Sequence, residues 1–67
     1  MSNQNRMVKF LDDFGQICYV RLNDVIGLTP NEIDPNQSDI HQEHGFITVR
    51  AKTDRVSKEL GLDNFVS

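Results

Sequence analysis

Residues 45–62 constrain the fold more than any other stretch, because a short alternating strand there runs straight into a bounded helix. Over residues 46–52, Ile47, Val49 and Ala51 fall on one face and Thr48, Arg50 and Lys52 on the other, the period of a half-buried strand. Thr53 stands at the position expected of a helix N-cap, and Asp54 suits the positive end of the helix dipole. Val56 and Leu60 lie one turn apart on a single face. Gly61 stands where a helix should stop, and Leu62 after it fits a Schellman ending that folds back towards Val56.

Upstream, two alternating runs flank Asp13-Phe14-Gly15 and read as a hairpin, with strands over 7–12 and 16–22. A three-residue loop with Gly15 left-handed, a type I turn closed by a bulge, sets Phe10 opposite Cys18 and Val8 opposite Val20. Val8, Phe10, Cys18, Val20 and Leu22 then share one apolar face. A four-residue loop would set Lys9 opposite Cys18 and mix charge into that face, so burial selects the shorter loop. After Asn23-Asp24 the pattern resumes over 25–28 as a bent or separate strand with Gly27 at a bulge or corner, and Pro30 ends it. Residues 31–45 show no period. Pro35, Asn36, Ser38 and Gly45, with the acids Glu32, Asp34, Asp39 and Glu43, predict a long exposed acidic loop.

The expectation is one small α+β domain over 7–62. Its antiparallel sheet has three to four strands, twisted enough to curl towards a barrel, and is joined by one C-terminal helix. Residues 1–6 read as a flexible polar leader and 63–67 as a tail. At 67 residues the chain holds at most one domain, and one of this size buries only about 60% of the surface its unfolded chain exposes. Cys18 is the one cysteine, which excludes an internal disulfide and any zinc site built on several thiolates. A core completed by a partner chain is the favoured way to offset so small an interior. The lone thiol, the polar start with no apolar stretch behind it and the lack of a run of membrane-spanning length point to the cytoplasm, with no membrane partner.

If the inward residues are as above, the outward set includes Met7, Leu11, Ile17, Tyr19 and Phe46. So many large apolar side chains do not suit a sheet face in water, and the helix, with Val56, Leu60 and Leu62, covers one face only. These five are the candidate interface, either between copies of the chain in a homo-oligomer or with a larger protein. The competing reading is a small bent sheet that buries both faces internally.

The net charge of −3 argues against general coating of nucleic acid. Arg50, Lys52, Arg55 and Lys58 nevertheless outweigh Asp54 and Glu59, and with the helix N-terminus they form an alternative site for a nucleotide, another phosphate-bearing ligand or nucleic acid. Only Phe46 lies near enough in sequence to stack on a base.

His41 and His44, with Asp39 nearby, have no third metal ligand enforced by spacing, and read as solvated loop histidines. Cys18 alternates inward with Val20, as a small core residue does. Asp12 and Asp13 sit in the hairpin turn, outside the apolar pocket that a catalytic acid needs. No nucleophile elbow, phosphate loop or dinucleotide fingerprint is present. No metal, cofactor or catalysis is expected, and a non-enzymatic interaction or regulatory module is. The strings Val8-x-Phe-Leu-x-x-x-Gly15 and Val20-x-Leu-Asn-Asp-Val-Ile26 resemble part of the short FlbD-type proteins of flagellar operons. The acidic segment 31–45 departs from the pattern of those proteins, and the resemblance brings no site residue with it.

Overall fold

The hairpin forms in the register that burial selects. In the computed structural model, which describes residues 6–62, strand β1 (Met7–Leu11) pairs antiparallel with β2 (Ile17–Arg21). Val8 faces Val20 and Phe10 faces Cys18. Gly15 has φ +81°, the left-handed conformation the three-residue loop requires. Asp12 organises the turn: its N–H donates to the Gln16 carbonyl at 2.8 Å, and its Oδ1 accepts from the Phe14 and Gln16 N–H groups, both at 2.9 Å. Arg6, placed in the leader by the sequence, prolongs the pairing by accepting the Leu22 N–H at 2.9 Å, and its guanidinium donates to the Glu59 carbonyl at 3.0 Å. The rest of the leader and the tail lie outside the described residues.

A 3-10 turn (Leu22–Asp24) leads into β3 (Gly27–Pro30), β4 (Ser38–Gln42) and β5 (Gly45–Val49), which form a second antiparallel sheet in that order. Pro30 is tolerated because β3 is an edge strand. A single bridge between Asp12 and Val49, with the Arg50 N–H donating to the Leu11 carbonyl at 2.8 Å, ties the two sheets together. Helix α1 (Thr53–Leu60) follows. Phe10, Val20, Ile40, Val49, Ala51, Val56 and Leu60 are buried, so both sheets and the helix feed one core. The protein is therefore a small α+β domain, with sheets of two and three strands that do not close into a barrel. Among the described residues no helix is long and apolar enough to cross a membrane.

Two expectations are corrected. Residues 31–45 are not one long loop: β4 lies within them and is the central strand of the second sheet, which brings the strands among the described residues to five. Its polar residues hid it. Of Ser38, Ile40 and Gln42, which alternate towards the core side, only Ile40 is apolar, and it is fully buried. Ser38 is buried too, its hydroxyl donating to the Ala51 carbonyl at 2.5 Å. At the helix, Lys52 and not Thr53 takes the N-cap place, with extended backbone and no capping side chain, while the Val56 N–H donates to the Lys52 carbonyl at 3.0 Å. The C-terminus is as expected: Gly61, at φ +72°, donates its N–H to the Lys58 carbonyl at 3.1 Å, and Leu62 packs against the core.

Candidate functional site

The hairpin's inward set is taken up by the core, which leaves a second face of defined composition. Met7 lies opposite Arg21, Lys9 opposite Tyr19 and Leu11 opposite Ile17, all six on the outward side of the two-stranded sheet. Met7, Leu11, Ile17 and Tyr19 are 47–60% exposed, a group of large apolar side chains on one face. The charged members of the face are Lys9 and Arg21, and none of the six positions is a carboxylate. Arg55 of α1 joins Lys9, Leu11 and Ile17 around a shallow hollow of about 260 Å³. Face and margin are therefore apolar and basic.

Phe46 does not belong to this face. It lies on β5, opposite His41 of β4, with the two rings tilted and their centroids 5.8 Å apart. The five candidate interface residues therefore divide, four on one sheet and one on the other.

Phe46 borders a different feature, an open cleft of about 530 Å³ on the outward face of the three-stranded sheet. Its floor is a side-chain network across the strands. Thr29 Oγ1 and His41 Nε2 share a hydrogen bond at 2.8 Å. Asp39, 9% exposed, accepts at Oδ1 from Asn31 Nδ2 and Thr48 Oγ1, both at 2.9 Å. Oδ2 accepts from none of the described residues.

The cleft wall is segment 31–37, held by its own side chains. Asn31 Oδ1 accepts from the Ile33 and Asp34 N–H groups at 3.0 and 2.9 Å, and Asp34 Oδ1 accepts from the Asn36 N–H at 3.0 Å. This bracing holds Ile33 out at 94% exposure on the cleft rim, beside Glu32. The cleft is acidic and apolar: Glu32 and Asp39 line it and no lysine or arginine does.

The hydroxyl–imidazole pair Thr29–His41 has the composition of a nucleophile and base, but nothing described orients the other ring nitrogen. The carboxylate of Asp39 is turned to Asn31 and Thr48 instead. It serves as a cross-strand bond of the sheet. His44 lies apart from His41 in the exposed β4–β5 turn, and among the described residues no three histidine, cysteine, aspartate or glutamate side chains gather as metal ligands would.

The four basic residues are not equally free. The Arg50 guanidinium lies against Gly15 and donates to the Asp13 carbonyl at 3.0 Å, while Arg55 lines the hollow beside Lys9. Lys52 and Lys58 are exposed, and their ammonium groups make no hydrogen bond or ion pair among the described residues.

Sequence reasoning found the hairpin face but missed the cleft. The available signal was the Asn31–Asp34 spacing, which suits side-chain capping of a turn and placed just before Ser38 predicts a braced reversal into a strand. Compared with known proteins, the chain matches no family model, no curated protein and no solved structure.

Proposed function

We propose that the chain is a small non-enzymatic interaction module that associates with further copies of itself, the outer face of the β1–β2 hairpin serving as a contact surface. One observation carries this reading: Met7, Leu11, Ile17 and Tyr19 stand about half exposed on the outward side of a strand pair whose inward side is already packed. Withdrawing the exposed part of such side chains from water contributes on the order of 1 kcal/mol each. A domain with so small an interior gains from that in proportion.

The alternative, anion capture through Arg50, Lys52, Arg55 and Lys58, has weaker support, because the Arg50 guanidinium already serves the hairpin turn. Sedimentation velocity over a concentration series tests the proposal. Wild type should rise above the mass of one chain with concentration, and Ile17→Glu should remain a folded monomer throughout. A wild type that stays monomeric, or an Ile17→Glu protein that assembles like wild type, removes the reading.

A further inference from the structure

We infer that copies of this chain join head to tail, the basic apolar hairpin face of one copy seating in the acidic cleft of the next. The inference rests on the self-association proposed above and adds its geometry. The partner is a second copy because the molecule carries two exposed surfaces of opposite charge, each set among large apolar side chains. On the hairpin, Lys9 and Arg21 accompany Leu11, Ile17 and Tyr19 with no carboxylate on the face, and Arg55 adds to its margin. At the cleft, Glu32 and Asp39 accompany Ile33 and Phe46 with no lysine or arginine in the lining.

A two-fold contact must be self-complementary. The hairpin face set on itself gathers four cations with no carboxylate to offset them, and the cleft set on itself four carboxylates with no lysine or arginine. Hairpin against cleft pairs opposite charges and apolar groups at once. The bonds of Oδ1 to Asn31 and Thr48 fix the Asp39 carboxylate in the cleft lining. The exposed ring of Phe46 offers a face to an entering arginine or lysine head, and Ile33 an apolar stop for Tyr19. The two surfaces lie on the outward faces of different sheets, so one copy can use both. Such a contact propagates into a ring or an open chain.

Mixing two variants tests the inference. Tyr19→Glu places a negative charge on the hairpin face, and Ile33→Lys a positive one on the cleft rim; both positions are exposed, and circular dichroism verifies folding. Each variant alone should sediment as a monomer, and equal amounts mixed should form a complex of two chains and no larger, because one intact hairpin then meets one intact cleft. Wild-type assembly should weaken as salt rises.

If Tyr19→Glu is monomeric while Ile33→Lys assembles like wild type, the hairpin face pairs with itself: the head-to-tail geometry is wrong and self-association through the hairpin survives. Failure of the mixture to re-form a complex likewise overturns the geometry alone. A monomeric wild type, or a Tyr19→Glu protein that assembles normally, overturns both.

Discussion

Burial pushes the Cys18 thiol up from its ordinary value, and the negative charge of Asp12 adds to the shift. Both causes disfavour the thiolate, which is the form that reacts. Cys18 should therefore react with a disulfide reagent more slowly at pH 8 than a free small thiol. Asp12→Asn should speed it, since the amide oxygen can still accept the Phe14 and Gln16 N–H groups while the charge is gone; equal rates in variant and wild type would exclude the Asp12 contribution. For stability, a folded value raised above the unfolded one means the native state holds its proton longer. The contribution is complete below the unfolded value and is lost as pH rises through the folded one. Melting curves on the alkaline side should accordingly fall more steeply for wild type than for Cys18→Ala. Ser38 is a second residue with a defined role, its buried hydroxyl satisfying the Ala51 carbonyl. Ser38→Ala should cost about 1–3 kcal/mol in urea unfolding, because the carbonyl loses a donor where water cannot replace it.

At the scale of elements, the helix was legible because its signals are local. Val56 and Leu60 mark its buried face, and Gly61 its end. Gly61→Ala should cost about 1 kcal/mol, since only glycine holds φ +72° without strain. Leu60→Ala, which opens a cavity at a fully buried site, should cost about 2–5 kcal/mol, both read from denaturant midpoints. The hairpin register was legible for a different reason, since only one loop length keeps Lys9 off the apolar face. Strand β4 was not, because a strand that buries a serine and an aspartate carries no apolar alternation. Its polar side chains are stabilised by Ala51, Asn31 and Thr48, residues from the segments before and after it, and a local reading cannot see those partners. Asp39→Ala should release both Asn31 Nδ2 and Thr48 Oγ1, and so loosen segment 31–37 in hydrogen exchange while the hairpin amides keep their protection.

For the whole molecule, the question is how the outward faces are used. The paired variants Tyr19→Glu and Ile33→Lys answer it by separating a face that pairs with itself from one that fits the cleft. By itself the sequence determined the class of fold, the hairpin with its inward and outward sets, and the helix end, because periodicity and turn chemistry act between near neighbours. It also located four of the five interface candidates on one face, since alternate residues of paired strands share a side. Only the tertiary structure decided that Phe46 stands on the other sheet, that the acidic segment builds a strand and a braced wall, and that Arg50 is held by the hairpin turn. Each of those depends on which distant segment supplies a hydrogen-bond partner. A polar side chain has many possible partners in sequence, whereas an apolar one has only the interior to enter.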